Sequence, residues 1–161
     1  MPAPTRKSWR EKLADDKDLP KVVKLTGAAA KRMGGATLAI AAPREIAALM
    51  RTVPRGRVTT INELRAAVAK KHRAAAGCPI TTGIFSWIAA HAAEEARAAG
   101  EKKITPYWRT LKKDGELNAK YPGGVAGLRR KLAAEGHAFI NRGKRVCVRA
   151  YETALFRPTG P

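Results

Sequence analysis

The chain has 161 residues, with 32 lysines and arginines against 13 aspartates and glutamates, which gives a formal net charge of +19. This length allows one domain with a hydrophobic core and argues against two. The charge predicts a polyanionic partner, most often nucleic acid; a basic soluble protein of ribosomal type is the alternative. No apolar run reaches the length of a signal-peptide core or a membrane span. We therefore expect a cytoplasmic, nucleoid-associated monomer that does not bind membranes.

The cysteines and histidines do not form a metal-binding pattern. Cys78 and Cys147 are far apart in the chain, there is no Cys-x-x-Cys pair, and the three histidines are isolated from one another and from the cysteines. The sequence therefore predicts two ordinary intracellular thiols, no metal site and no cofactor.

Residues 1–42 mix charge, proline and glycine. We expect a basic N-terminal arm that is only partly ordered. Trp9 and Leu13, four residues apart, would seat a short helix on the body, and a short strand is expected at 36–41. The arm would touch a phosphate backbone, or it would be a flexible tail with no role.

Three helices are predicted in the middle of the chain. The first begins at Pro43, which suits the first turn of a helix, and ends before the basic turn Pro-Arg-Gly-Arg. The second opens with Thr60 and Glu63 at the spacing of a capping box. The third ends at Gly100. Its apolar stripe is expected to face the core and consists of Ile84, Phe85, Ile88, Ala89 and Ala92.

These three helices suggest a helix-turn-helix. In that motif the N-terminal residues of the last helix face the major groove of DNA. The third predicted helix offers three small hydroxyl residues near its start, which would either contact DNA or act as helix caps: Thr81, Thr82 and Ser86.

A basic turn and two further elements follow. Asp114-Gly115 is a tight-turn signal, and together with Lys112 and Lys113 it predicts a basic hairpin, the wing of a winged-helix domain. A fourth helix and a second hairpin come after it. The expected fold is mainly α with small β, and it has three parts: a basic arm at 1–42, a winged helix-turn-helix domain at 43–137, and a C-terminal β-hairpin and tail at 138–161.

Four motifs occur in one order along residues 43–136. They are Val-Pro-Arg-Gly-Arg-Val-Thr-Thr at 53–60, Pro-Tyr-Trp-Arg at 106–109, Tyr-Pro-Gly-Gly at 121–124 and a helix ending in Glu-Gly at 135–136. This order resembles the DNA-binding domain of the alkylguanine-DNA alkyltransferases and the alkyltransferase-like proteins. The resemblance implies a winged-helix fold and binding to duplex DNA.

The resemblance also implies a pocket that has lost its chemistry. The alkyltransferases have Pro-Cys-His-Arg, in which the cysteine takes the alkyl group and the histidine and a distant glutamate relay its proton. Here Tyr107 stands at the cysteine position, Trp108 at the histidine and Glu135 at the glutamate. A phenol with a pKa of about 10 is a poor alkyl acceptor, so we expect that the protein does not catalyse alkyl transfer and is not an enzyme. The relic pocket implied by the match contains Tyr107, Trp108, Arg109, Tyr121, Gly123, Gly124 and Glu135.

Alkyltransferase-like proteins bind and flip alkylated guanine and recruit other repair machinery, so the resemblance implies damaged DNA and repair proteins as partners. Ile61 stands where the family has a tyrosine that rotates the target phosphate, and Ile80 where it has an arginine finger. Ile80 is expected in the core, with an apolar wedge between bases as the other interpretation. A general nucleic-acid-binding or protein-interaction module is the alternative function. The expected DNA contacts are Arg55, Arg57, Thr60, Thr81, Thr82, Ser86, Lys112 and Lys113.

Overall fold

Helices and short strands alternate along the computed structural model, which describes residues 5–159. The helices of this part of the chain are α1 (Trp9–Ala14), α2 (Gly27–Met33), α3 (Pro43–Arg51), α4 (Ile61–Lys71), α5 (Pro79–Ala98) and α6 (Gly124–Ala134). The strands are β1 (Lys21–Lys24), β2 (Thr37–Ile40), β3 (Thr59–Thr60), β4 (Ala76–Gly77), β5 (Thr110–Leu111), β6 (Phe139–Arg142) and β7 (Arg145–Val148). Short 3₁₀ turns occupy Tyr107–Arg109, Lys113–Gly115 and Tyr151–Ala154.

The core forms where α3, α4 and α6 pack around α5 and the aromatic 3₁₀ turn. Local signals place the helices as predicted: α3 begins at Pro43, and the Thr60 hydroxyl accepts a hydrogen bond from the Glu63 N–H at the start of α4. The largest fully buried side chains are Tyr107, Ile46, Met50, Leu64, Leu111, Leu128 and Leu132. Each large aliphatic side chain buried in this way contributes about 1.5–3 kcal/mol.

Three small sheets complete the mixed α/β fold. In the first, β2 is the central strand and pairs antiparallel with β1 and parallel with β4. In the second, β3 and β5 pair in parallel, with Thr59 opposite Thr110. The third is the antiparallel β6–β7 hairpin, which confirms the predicted C-terminal hairpin. Within residues 5–159, no helix has the length and apolar composition needed to cross a bilayer.

The N-terminal segment packs against the rest of the chain across the boundary expected at residue 42. The first sheet crosses that boundary, because β2 pairs with β4. Trp9 of α1 stacks on His91 of α5, with ring centroids 4.5 Å apart, and meets Trp87 edge-on at 4.8 Å. The Glu95 carboxylate accepts hydrogen bonds from two backbone N–H groups at the start of α1 (3.1 and 3.2 Å). The short helix at Trp9 and the strand within 36–41 are confirmed.

The expected two-stranded wing is not formed in the described part of the chain. A tight turn does lie at Lys113–Gly115 and is closed by the bond from the Lys112 N–H to the Glu116 carbonyl (2.9 Å). The segments on either side of it, however, pair with other partners. The incoming segment, β5, pairs with β3, while Leu117 donates to the Val146 carbonyl of β7 (2.9 Å). Because Leu111 and Leu117 are both buried, the segment is drawn into the core instead of projecting as a wing.

Candidate nucleic-acid interface and aromatic cleft

The Glu135 carboxylate joins the aromatic 3₁₀ turn to the end of α6. It accepts hydrogen bonds from the Trp108 indole N–H and from Nε and Nη2 of Arg109, all at 2.9 Å. Arg109 also donates a hydrogen bond to the Val53 carbonyl at 2.9 Å, which connects the segment after α3 to this group. The side chains are 14% exposed for Arg109 and 4% for Glu135. Burial alone would raise the pKa of Glu135, but the hydrogen bonds from Arg109 and Trp108 outweigh it and lower the pKa below its usual value.

Tyr107 is held in the core beside this anchor. It is 1% exposed, and its hydroxyl donates to a carboxylate oxygen of Glu94 on α5 at 2.7 Å. Its ring meets those of Trp108 and Tyr121 edge-on, with centroids 5.3 and 6.1 Å apart. Burial, followed by the hydrogen bond to Glu94, raises the pKa of Tyr107 well above its usual value. This raised pKa favours the protonated phenol, which is a poor nucleophile near neutral pH.

An open cleft of about 520 Å³ lies next to Tyr107. Its lining combines one carboxylate with three cations and the glycine-rich start of α6: Glu94, Arg97, Tyr107, Pro122, Gly123, Gly127, Arg130 and Lys131. Gly123 has φ +81° and Gly124 φ +61°, a left-handed conformation that strongly favours glycine at this turn. The Arg97 guanidinium pairs with Glu94 at 2.7 Å, so two cations of the lining have no acidic partner in the described chain.

The residues expected in the relic pocket thus form two groups. Trp108, Arg109 and Glu135 bond to one another and do not line the cleft. Tyr107 and Gly123 line it, Tyr121 is buried against Tyr107, and Gly124 begins α6. Burial raises the pKa of Tyr121 to about 12.

The start of α5 presents apolar side chains to solvent. Ile80 is 71% exposed and Ile84 45% exposed, so the expectation that both face the core is wrong. The reason is that the packed face of this end of α5 carries small residues, Thr82, Ser86 and Ala89, all of them buried. The exposed isoleucines help to line a groove of about 430 Å³ with Gly83, Trp87, Lys112, Asn118 and Lys120. We call this surface the α5 groove.

Three predicted DNA contacts are buried and satisfied within the protein, which corrects that assignment. Thr60 caps α4. Thr82 donates to the Cys78 carbonyl at 2.7 Å, and Ser86 donates to the Gly83 carbonyl at 2.9 Å. Thr81 is partly exposed at the start of α5.

The predicted basic contacts differ in how far they are already engaged. Arg55 donates to the Ala134 carbonyl (2.9 Å), and Arg57 donates to the carbonyls of residues 154 and 155 (3.0 and 2.6 Å). Lys112 forms an ion pair with Glu116 at 3.2 Å. Lys113 is exposed and has no ion-pair partner among residues 5–159.

The sequence did not predict that Lys120 and Trp87 contribute to a binding surface, the α5 groove. No local pattern marks either residue, because the groove forms only when the loop before α6 packs beside α5. The loop is held there by a hydrogen bond between the His91 ring and the Lys120 carbonyl (3.1 Å). In the part of the chain that the structure describes, no cluster of histidine, cysteine or acidic residues is arranged to hold a metal ion.

Comparison with solved structures gives a distant similarity. No protein-family model matches the chain, and no curated protein does so. Among solved structures, S. pombe Atl1, in complex with damaged DNA containing O6-carboxymethylguanine, is similar over 72% of this chain and 94% of its own, with 13% identity and a TM-score of 0.47. A likeness of this size assigns no family.

Proposed function

We propose that this protein is a non-catalytic DNA-binding protein that contacts duplex DNA through the α5 groove. The observation that carries the proposal is the exposed pair Ile80 and Ile84, set beside Lys112 and Lys120 on a chain with a net charge of +19. Lysines contact phosphates without regard to sequence. Isoleucine side chains contact thymine methyl groups or the faces of unstacked bases.

The charge distribution supports a polyanionic partner. Most acidic side chains are already paired with a neighbouring cation, as in the pairs that involve Asp15, Glu45, Glu94 and Glu135. The excess cations are therefore left on the surface, where they attract a polyanion over about 8 Å at physiological salt.

Tyr107 and the two cysteines are poorly placed to act as the nucleophile of an alkyl transfer. The pKa of Tyr107 is raised by burial and by Glu94, and both cysteines, Cys78 and Cys147, are buried. A reactive thiol requires exposure and neighbouring positive charge.

The proposal extends to the cleft beside Tyr107, which would receive an alkylated base turned out of the duplex. Its volume of about 520 Å³ falls in the range of small-molecule sites, about 300–1,000 Å³. Arg130 and Lys131 would contact the phosphates on either side of that base. Since turning a base out costs a few kcal/mol, a damaged and weakly paired base would be preferred. A protein that holds such a base without repairing it requires repair proteins to act afterwards, and we include them as partners.

The test is a titration of the protein against matched duplexes with and without O6-methylguanine, at two salt concentrations. We expect plain duplex to bind with a steep salt dependence and the alkylated duplex to bind more tightly. If the protein binds the plain and the alkylated duplex equally tightly, the proposed role of the cleft is refuted and the DNA-binding function remains. Absence of duplex binding, or preferential binding of structured RNA or single strands in competition, would refute the proposed function.

Charge-matched variants test the α5 groove directly. Replacing Lys112 and Lys120 by alanine should reduce the slope of log K against log salt by up to about 2. The control replaces Lys102 and Lys103, an exposed pair just beyond the far end of α5, which lies about 28 Å along the helix from its start. An equal decrease of the salt slope in the two double variants would show that the α5 groove is not part of the DNA interface.

A further inference from the structure

A second group of cations lies outside the α5 groove, where the ends of α2 and α4 meet. Lys31 and Arg32 stand in the last turn of α2, Arg73 follows α4, and Lys24 ends β1. All four are exposed, and none forms an ion pair within residues 5–159. We call these four residues the α2–α4 patch.

Close packing brings these segments together. A Cβ atom placed on Gly35, just after α2, would lie 2.4 Å from the Cβ of Ala75. The Thr37 hydroxyl accepts a hydrogen bond from the Ala75 N–H at 2.9 Å. Lys24 is the cross-strand partner of Thr37, and such partners have Cβ atoms about 4.5–5.5 Å apart. The end of α2, the end of β1 and the turn after α4 therefore share one surface.

The two stretches of chain that build this surface contain no acidic residue. Asp18 and Glu45 bracket the first stretch, residues 19–44, and Glu63 and Glu94 bracket the second, residues 64–93. In a chain with 13 acidic residues, most of which pair with cations elsewhere, this absence leaves the positive charge of the patch uncompensated by its own segments. The Glu45 carboxylate does reach the end of α4, but it is mostly buried and pairs there with Lys71 and His72 at 2.7 and 2.8 Å. A surface whose four exposed cations have no ion-pair partner of their own suits a row of phosphates better than it suits a mixed-charge protein partner.

The patch is also close to the α5 groove. Ile80 follows Ala75 by five positions along the chain, which limits the distance between their Cα atoms to about 18 Å. One turn of B-DNA is about 34 Å long. A single duplex lying on the α5 groove is therefore long enough to span both surfaces.

We infer that the α2–α4 patch is a second phosphate-binding surface that engages the same duplex as the α5 groove. The inference rests on the proposed function and adds to it a longer footprint on the DNA. Because the patch holds backbone phosphates only, its contribution does not depend on base sequence or on damage.

The experiment compares a triple variant, Lys31→Ala, Arg32→Ala and Arg73→Ala, with the wild-type chain on duplexes of about 8 and about 20 base pairs. On the long duplex the salt slope should fall by up to about 2.7, at about 0.9 for each phosphate that the variant no longer neutralises. On the short duplex, seated in the α5 groove, the slope should change by less. The matched control removes three exposed cations of the β6–β7 hairpin: Arg142, Lys144 and Arg145.

The outcomes separate this inference from the proposed function. An unchanged slope in the triple variant, with steep salt dependence in the wild type, overturns the second surface and leaves DNA binding through the α5 groove intact. An equal fall in the hairpin control also overturns it, because the charge effect would then be diffuse. No binding of the wild type to either duplex refutes the proposed function itself. Circular dichroism checks the fold of each variant; Lys31 and Arg32 are exposed helical positions, at which alanine preserves the helix.

Discussion

Replacing Glu135 by glutamine should destabilise the protein strongly, because it leaves the Arg109 guanidinium without its counter-charge. Removing one partner of a buried ion pair costs about 3–5 kcal/mol. Arg109 keeps its bond to the Val53 carbonyl, and its side chain is 14% exposed, so we expect the lower end, about 3 kcal/mol. For a chain of 161 residues this corresponds to a fall in Tm of about 9 °C.

The assay is urea unfolding at pH 7, followed by circular dichroism and by tryptophan fluorescence, to which Trp108 of the anchor contributes together with Trp9 and Trp87. Glu101→Gln breaks the exposed pair with Arg10 and should produce no resolvable change. The double variant Arg109→Met/Glu135→Gln removes both charges and should recover part of the lost stability. A loss below about 1 kcal/mol in Glu135→Gln would refute the reasoning that this carboxylate is a structural anchor.

Two other predictions concern buried titratable groups. Tyr107→Phe removes the hydrogen bond to Glu94 and should lower the free energy of unfolding, measured in urea, by about 1.5 kcal/mol. Mass spectrometry should find no alkyl group on the wild-type chain after incubation with alkylated DNA. An adduct that is lost in Tyr107→Phe would contradict the absence of alkyl transfer. Burial lowers the pKa of His137, and the charge of Arg109 adds to this effect, although Glu135 opposes it. His137 therefore takes up its proton at a higher pH in the unfolded chain than in the folded one. Stability should therefore rise as the pH is raised from that lowered pKa to about 6.5, and His137→Gln should flatten this part of a Tm–pH profile; an unaltered profile would show that His137 does not cause the rise.

The helices that could be predicted from the sequence are those with local signals at their ends. Pro43 starts α3, and the pair Thr60 and Glu63 starts α4, since caps and first-turn residues act over three or four positions. The central strand of the first sheet could be predicted, but its pairing could not. The strands of this sheet are two to four residues long and partly alanine, without clear alternation, and Leu38 pairs with Ala76, far along the chain. Nothing within either segment encodes that pairing.

The candidate site shows the same limit at the level of single side chains. Helical spacing identified which residues of α5 share a face, but it could not say which face the rest of the protein covers. The covered face turned out to carry Thr82 and Ser86, whose hydroxyls bond to carbonyls of their own helix and so can be buried without another partner. Ile80 lies on the opposite, solvent-exposed face. The family resemblance implied one pocket for Trp108, Arg109 and Glu135; in the structure Glu135 accepts hydrogen bonds from the other two, outside the cleft.

The stacking of Trp9 on His91 and the pairing of β2 with β4 together determine the smallest fragment that can be studied alone. A fragment beginning at Pro43 would keep every helix from α3 to α6, yet it would lose the Ala39 carbonyl that the Cys78 N–H bonds to (2.9 Å). It would also uncover Trp87 and His91 and leave β4 without a neighbouring strand, and exposed aromatic surface beside an unpaired strand promotes aggregation. A fragment intended to stay dispersed at high concentration therefore has to begin before α1.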